Sequence, residues 1–512
     1  MQDATRYIIS QLLSGRRDFE KIKLEAARMF RLKSFPRNSE ILASFPADKL
    51  TPQIFSLLQK RPMRTLSGVT PVAIMVRPEG SCRWSCIYCP YTGKAPKSYT
   101  GEEPAALRAR QSNFDPAVQV RTRLRHFRET GHPVSKCELI LMGGSFLSMP
   151  SRYKHSFVKR AYGAFNGRES PSLAAAKALN ERAKSRVVGF TIETRPDLCG
   201  KKEIDEMLGY GATRVELGVQ HPDDRIYRTI GRGHTVKDVE AATSLLKDSA
   251  FKVCYHIMPG LPGSDEKKDI QMFKTLFSDS RFRPDMLKIY PTLVIPGTKL
   301  YEMWKKGEYE PYSAEKASRI ISSAYRYIPP YVRIMRIQRD IPLPLICAGV
   351  EKSNLRELVE REARKAGLPQ LEIRAREIRD GKIPLEDAEL NCIKYRASGG
   401  DELFLSYESQ NKLIGFIRLR IPGSPFRKEI TEGTALIREL HVYGSEAPIG
   451  RDGKFQHRNF GSLLLQEAEK IAEEDFGSRK MLIISGVGVK PYYFSKGYRR
   501  DGPYVSRPLG AA

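Results

Sequence analysis

The stretch Ser81-Cys82-Arg83-Trp84-Ser85-Cys86-Ile87-Tyr88-Cys89-Pro90-Tyr91 packs three cysteines into one tight loop, separated by three residues and then by two. A 4Fe-4S cluster is normally held by four thiolates, so a loop that supplies three leaves one iron open to another ligand. Two other readings stand beside the cluster: a zinc site, and three ordinary thiols. A closed structural zinc site takes four ligands, often as close pairs, and no second close pair of Cys or His follows nearby. Cys137, Cys199, Cys254, Cys347 and Cys392 are scattered without ligand spacing. They read as buried small apolar residues, with a distant zinc site drawing on some of them as the alternative. Eight cysteines in 512 residues with no secretory signal argue against a disulfide framework and for a reducing, cytoplasmic setting.

The cysteine loop follows the first of several apolar runs that alternate with helical stretches: Val72 to Val76, Leu139 to Met142, Val187 to Ile192, Arg214 to Val219, Val253 to Met258 and Met286 to Tyr290. Six strand and helix repeats predict an α/β fold, a parallel sheet curled into a barrel or partial barrel over residues 66–296. Polar or glycine-bearing segments follow the early strands: the cysteine loop, Gly143-Gly144-Ser145, Glu193-Thr194-Arg195 and Gln220-His221. The carboxyl ends of barrel strands build the active site, so these segments should converge. Lys288, ending the sixth strand, should point to the same mouth. A salt bridge to a mouth carboxylate such as Glu193 is the alternative to a catalytic role for it.

Residues 1–65 read as a basic helical module, with Ile8, Ile9, Leu12 and Leu13 and then Ile22, Leu24, Ala27 and Met29 at helical spacing. Residues 297–400 read as a charged helical bridge whose Ile341-Pro342-Leu343-Pro344-Leu345 should be extended and pack between domains. The formal net charge of +27 and a pI near 9.7 point to a polyanionic partner, and nucleic acid is the expected one. No apolar run approaches the roughly 20 residues of a membrane span.

A second α/β pattern fills residues 401–512. Leu403 to Ser406 and Leu413 to Arg420 form a hairpin around Ser409-Gln410-Asn411, and Ala435 to Tyr443 a further strand. A helix from Gly461 to about Glu474, a strand from Met481 to Ser485 and a segment with Tyr492 and Tyr493 follow. Between strand and helix lies Gln456-His457-Arg458-Asn459-Phe460-Gly461. A loop whose backbone amides end at a helix N-terminus can hold a pyrophosphate, and the order resembles the acetyl-CoA loop of GNAT acetyltransferases. Asn459 stands where that pattern has a glycine, and asparagine tolerates a left-handed backbone better than most residues.

The three-cysteine spacing is the signature of the radical S-adenosylmethionine (SAM) enzymes. Longer segments carry a more specific resemblance, among them Ser98-Tyr99-Thr100-Gly101-Glu102-Glu103-Pro104, Met142-Gly143-Gly144-Ser145-Phe146, Thr191-Ile192-Glu193-Thr194-Arg195-Pro196-Asp197, Arg232-Gly233-His234-Thr235-Val236, Gln338-Arg339-Asp340-Ile341-Pro342, Arg438-Glu439-Leu440-His441-Val442-Tyr443-Gly444 and Ile484-Ser485-Gly486-Val487-Gly488. The chain resembles the catalytic-subunit family of Elongator, which modifies the wobble uridine of tRNA. The resemblance implies a partial TIM-type radical SAM barrel, a basic N-terminal tRNA-binding module and a C-terminal GNAT domain.

It also implies a joint reaction. A SAM-derived 5′-deoxyadenosyl radical takes hydrogen from the acetyl methyl of acetyl-CoA, and the carbon radical adds to carbon 5 of uridine; thioester hydrolysis then yields 5-carboxymethyluridine. By the same resemblance Cys82, Cys86 and Cys89 hold the 4Fe-4S cluster, and Gly143 and Gly144 form the SAM amine-binding turn. Glu193, Arg195 and Gln220 would contact SAM or substrate, or form a polar network. Lys136, Glu439, Leu440, His441, Val442, Phe460, Gly461, Ser462, Leu463 and Tyr493 would contact acetyl-CoA, with Tyr493 catalytic, and Gln456 and Arg458 join them from the loop reading; Lys136 is otherwise an exposed strand-flanking lysine, and Lys288 is a catalytic candidate from its place at the strand end. The implied partner is the tRNA anticodon stem-loop, with Elongator accessory subunits or a second copy of the chain beside it. A protein lysine acetyltransferase using the GNAT half alone, and a tRNA-binding scaffold without catalysis, are the competing classes.

Overall fold

The computed structural model describes residues 1–59, 67–79, 82–143, 146–378, 383–444 and 459–510. Seven parallel strands run in sequence order: β1 (Val69–Met75), β2 (Lys136–Met142), β3 (Arg186–Thr194), β4 (Arg214–Gln220), β5 (Lys252–Ile257), β6 (Met286–Ile289) and β7 (Arg333–Ile337). β7 was not foreseen. It lies in the stretch read as a helical bridge and pairs with β6 through Met286↔Arg333 and Ile289↔Ile337. Successive side chains of a strand point to opposite faces. On one face Val72, Leu139, Ile192, Val215, Leu217, Val253 and Leu287 join the main apolar core with the surrounding helices. The other face, lining the barrel, carries Glu138, Thr191, Arg214, Glu216, His256 and Lys288, which bond to one another.

A second seven-stranded sheet, in the order β13-β14-β12-β11-β10-β9-β8, comprises β8 (Glu389–Ala397), β9 (Gly400–Ser409), β10 (Lys412–Ile421), β11 (Thr434–Val442), β12 (Lys480–Ile483), β13 (Arg499–Asp501) and β14 (Tyr504–Pro508). The β9–β10 turn is a two-residue one in which Gln410 and Asn411 both have positive φ, 50° and 60°, the combination that matches strand twist. One face of this sheet buries Leu405, Ile417 and Ile437 under Leu464 and Ala468 of the helix Phe460–Glu474. The opposite face gives Phe404, Phe416, Leu436 and Leu482 to the barrel's own core. The two sheets therefore share a hydrophobic interior.

Buried ions lock the same interface. Arg438 on β11 meets Asp285, just before β6, at 2.5 Å and Glu402 on β9 at 2.9 Å. Arg420 meets Asp248 at 2.5 Å and Glu402 at 2.9 Å. Lys247 lies 3.4 Å from Glu402, and Arg418 donates to Glu439 at 2.9 Å. Burial opposes the Asp285 charge, but Arg438, Lys247 and Arg418 hold its carboxyl well below the usual range. Burial pushes the Lys247 ammonium down to about 8.

The N-terminal region folds as the helices Gln2–Leu13, Phe19–Met29, Asn38–Ser44 and Pro52–Leu58 around a small core. The first helix buries Ile8, Ile9 and Leu12 as expected, whereas Leu13 is exposed. In the second the apolar stripe is Phe19, Ile22 and Ala26, while Leu24 and Met29 face outward. A helical stripe repeats every three to four residues, and Phe19 sets it. The Pro-containing stretch is not extended throughout: Leu343–Leu345 forms a 3-10 turn with Leu343 exposed. Of the scattered cysteines Cys137, Cys199 and Cys254 are buried, but Cys347 is half-buried and Cys392 exposed on the edge strand β8.

Candidate active site

Cys82, Cys86 and Cys89 line one cavity of about 160 Å³ together with Glu193, Arg195, Gln220, Lys288, Arg232 and Arg339. The cysteine loop, Glu193-Thr194-Arg195, Gln220 and Lys288 meet there, and Gly143 bonds to Glu193 beside it; His221 turns instead toward Asp269, and Gly144 and Ser145 lie outside the described residues. Lys97 donates to the Cys82 and Trp84 carbonyls at 2.8 and 3.0 Å, and the Cys86 carbonyl accepts from the Cys89 amide at 3.0 Å, which curls the loop. Arg195 is held by Asp197 at 2.8 Å and by the Arg232 carbonyl at 2.7 Å, with its Nη1 4.0 Å from Cys82 Sγ. Burial, and then the neighbouring Cys86, push the Cys89 thiol up to about 11. Three thiolates lining one cavity are stabilised by positive charge, which a metal supplies directly. The donor set fits a three-thiolate cluster.

Gly143 takes φ 113°, and a Cβ there would lie 2.8 Å from Val76 Cγ2, so only glycine fits. Its amide donates to Glu193 Oε2 at 3.3 Å, and Tyr99 donates to the same oxygen at 2.7 Å. Gln220 ends β4 with φ 69°, next to Gly218, where any Cβ would strike Arg232 Nη2 at 2.6 Å and Gln220 Nε2 at 2.9 Å.

Lys288 projects into the cavity, and its main partner is Glu216, not Glu193, which lies 4.0 Å away. Glu216 also accepts from His256 at 2.8 Å and lies 3.4 Å from Arg214 Nε. Burial opposes the Lys288 charge, but Glu216, Tyr290 and Glu193 raise the ammonium above its ordinary value. Burial likewise opposes the Glu216 charge, yet Lys288 and His256 hold the carboxyl well below its ordinary value. Lys288 is therefore a fixed cation that can donate to an oxygen but not accept a proton. Glu216, Cys254 and His256 each bring a donor atom within 4.8 Å of the others. The Lys288 ammonium already sits on that carboxylate, so the trio is better satisfied by the lysine than by a metal ion.

In the second sheet, β11 pairs with β12 from Thr434 to Ile437, and the register ends there. Among the described residues, Glu439, Leu440, His441 and Val442 have no partner on β12, which leaves a wedge open at that edge. Asn459 precedes the helix Phe460–Glu474 with φ 59°, the left-handed conformation foreseen for it. A Cβ on Gly461 would lie 3.5 Å from Tyr492 Oη and 3.6 Å from Val442 Cγ2, which places the helix start beside the wedge. Ser462 accepts from Lys496 at 2.9 Å, and Leu463 is exposed. Tyr493 is buried between Tyr492 and Tyr498, and burial raises its hydroxyl above the ordinary value. Gln456, Arg458 and Gly144 lie outside the described residues.

The two groups of residues sit toward opposite ends of the barrel strands. Lys252 opens β5 and Arg214 opens β4, and Glu439 is held below its usual range, against burial, by Lys252 and Arg418. Lys136 opens β2 beside Arg186 in the register, and Arg186 packs under Gly488, so Lys136 also lies at the end facing the second sheet. Sequence reading missed Glu216, His256 and the role of Arg232. The alternation in β4, with polar Arg214, Glu216 and Gln220 and the small Gly218 at every second position, was the available signal for an inward-facing row.

The profile of the ELP3 N-terminal domain matches residues 1–66, that of the radical SAM superfamily residues 78–276, and that of the Radical_SAM C-terminal domain residues 284–365, which contains β7. The chain is 48% identical over 507 residues to the tRNA uridine(34) acetyltransferase of Methanocaldococcus jannaschii, covering 96% of this chain and 94% of that one. It is 43% identical to Elongator complex protein 3 of Schizosaccharomyces pombe, covering 98% and 97%, and 41% identical to the Homo sapiens protein of that name, covering 98% and 96%. The solved structure of archaeal Methanocaldococcus infernus Elp3 with an N-terminal deletion superposes with a TM-score of 0.78 at 46% identity, covering 87% of this chain and 100% of that one. The radical SAM family implies a 4Fe-4S cluster and SAM. The chain belongs to the Elongator complex protein 3 family of radical SAM proteins.

Proposed function

We propose that this protein forms 5-carboxymethyluridine at the wobble position of tRNA from acetyl-CoA, acting as a radical SAM carboxymethyluridine synthase. The observation that carries the reading is the convergence of Cys82, Cys86, Cys89, Glu193, Arg195, Gln220 and Lys288 on one cavity, with Gly143 bonded to Glu193 beside it, in a barrel that shares a core and a buried ion network with the second sheet. When bound, cluster and SAM supply a 5′-deoxyadenosyl radical, a cofactor chemistry that the protein only orients.

The chain's own residues take the remaining roles. Gly143 lets the backbone approach the SAM amine, and Arg195 and Gln220 contact SAM or substrate. Cationic Lys288 donates to the uracil or thioester oxygen, where fixed positive charge favours developing negative charge. The second sheet acts as a GNAT-type acetyl-CoA domain: backbone at Glu439 to Val442 pairs with the pantetheine amides, the helix start at Phe460 to Leu463 faces the pyrophosphate, and Tyr493 donates near the thioester. Hydrogen would pass from the acetyl methyl to the 5′-deoxyadenosyl radical and the methylene carbon would bond to uridine carbon 5; the adduct would then give one electron back to the oxidised cluster and its carbon 5 proton to water, and water would cleave the thioester to release CoA. The basic surface receives the tRNA anticodon stem-loop with its wobble base splayed out, and accessory subunits of the Elongator type or a second copy of the chain complete the assembly.

The test is anaerobically reconstituted protein with SAM, acetyl-CoA, reductant and tRNA, read by nucleoside mass spectrometry. 5-Carboxymethyluridine is expected. Lysine acetylation without that nucleoside would replace the reading with a protein acetyltransferase, and tRNA binding with neither product would replace it with a scaffold.

A further inference from the structure

Arg232 is buried beneath the cysteine loop. Its Nη1 faces Cys86 Sγ at 3.6 Å, and its Nη2 donates to the Gly218 carbonyl at 2.5 Å. Its Nε has no hydrogen-bond partner among the described residues. Several other buried arginines of this protein meet a carboxylate: Arg195 meets Asp197, Arg214 meets Glu138, Arg420 meets Asp248, and Arg438 meets Asp285. Among the described residues Arg232 meets none. A guanidinium does not shed its proton, and leaving one buried without an opposite charge costs several kcal/mol. Gly218 keeps the space for it open, since a Cβ there would lie 2.6 Å from Nη2.

We infer that Arg232 is the buried counter-cation of the cluster held by Cys82, Cys86 and Cys89, donating to the Cys86 sulfur and favouring the reduced cluster. The inference rests on the cluster reading of the cysteine loop. Three thiolates leave an oxidised 4Fe-4S cluster with net negative charge, and one electron from an external reductant adds another. A fixed cation at the sulfur stabilises the more negative state more, and hydrogen bonds to sulfur are among the levers that set cluster potentials. Arg232 is thus a positioning residue that acts through the cluster on the ease of its reduction.

The experiment uses the reconstituted full chain without SAM, titrated with dithionite and read by electron paramagnetic resonance of the reduced cluster. Arg232→Gln should make reduction about tenfold less favourable, a midpoint shift of about 59 mV to lower potential for a one-electron couple. Arg232→Lys, which keeps the charge, should shift it less. An unchanged midpoint in variants with full iron and sulfide overturns the inference. So does an unchanged midpoint accompanied by lost SAM binding, which would place the guanidinium on SAM instead. If neither variant assembles a cluster, wild type carrying 15N-labelled arginine decides: a guanidinium nitrogen coupled to the reduced cluster supports the inference, and no such coupling overturns it. A wild type that assembles no cluster overturns the cluster reading and the inference together.

Discussion

Two buried charge clusters lie toward opposite ends of the barrel strands, and they are built differently. Between the sheets, Lys247, Arg418, Arg420 and Arg438 are matched by Asp248, Asp285, Glu402 and Glu439, so every cation finds a carboxylate. At the barrel mouth, Arg195 and Lys288 have theirs, but Arg232 has only a thiol and a carbonyl among the described residues. A balanced buried network fixes geometry. An unbalanced one is complete only with an anionic guest, and three cysteines stand where that guest would be bound.

The sharpest break of this comparison comes from removing one arginine from each cluster in cluster-free protein. Arg438→Met leaves Asp285 and Glu402 each one cation short and should cost about 3 kcal/mol in urea denaturation, the low end of the range for breaking a buried pair from one side, since Lys247, Arg418 and Arg420 remain. Arg232→Met should cost no more than about 1 kcal/mol, since it removes an unmet charge and one hydrogen bond. Equal losses would erase the distinction. Next in size, Lys288→Met should lower nucleoside formation about a hundredfold, the loss typical of removing one charge-stabilising donor, with iron and sulfide content intact. Full product from a correctly folded variant would remove Lys288 from the chemistry.

The balanced cluster also sets a pH dependence. Asp285 is depressed in the folded state, so its stabilisation is complete above the ordinary carboxyl value of about 3.9 and is lost as pH falls below it. The urea midpoint should therefore begin to drop below about pH 4 and keep falling toward about pH 2, and Asp285→Asn should flatten that drop while lowering stability throughout. A variant that leaves the slope unchanged would put the acid sensitivity elsewhere. The smallest effect belongs to Asn459→Gly. Asn459 already holds φ 59°, so acetyl-CoA affinity in equilibrium binding should change by less than about threefold. A larger gain would mean that the asparagine strains the loop.

What the sequence revealed and what it hid follow the same physics. Strand runs such as Val72 to Val76 and Val253 to Met258 were legible because apolar residues under helices are local and continuous. β7 was hidden because Arg333-Ile334-Met335-Arg336-Ile337 carries arginines that meet Glu377 and Asp340, and charge reads as bridge when its partners lie elsewhere. β8 was hidden because it is an edge strand whose first residues face water. At the site, the cysteines, Gly143 and Lys288 stood out because their chemistry is tied to spacing or strand ends. Glu216 and His256 did not, because their meaning lies in each other and in Lys288, across strands far apart in the chain.

The central claim is that both halves act on one acetyl group, although β11 and the cysteine loop lie toward opposite ends of the barrel strands. Acetyl-CoA deuterated at the methyl, incubated with reconstituted protein, SAM, reductant and tRNA, tests this directly by mass spectrometry of the 5′-deoxyadenosine formed. The account predicts one deuterium in that nucleoside and the remaining two in the new side chain of the uridine. 5′-Deoxyadenosine free of deuterium, beside a fully modified uridine, would contradict it.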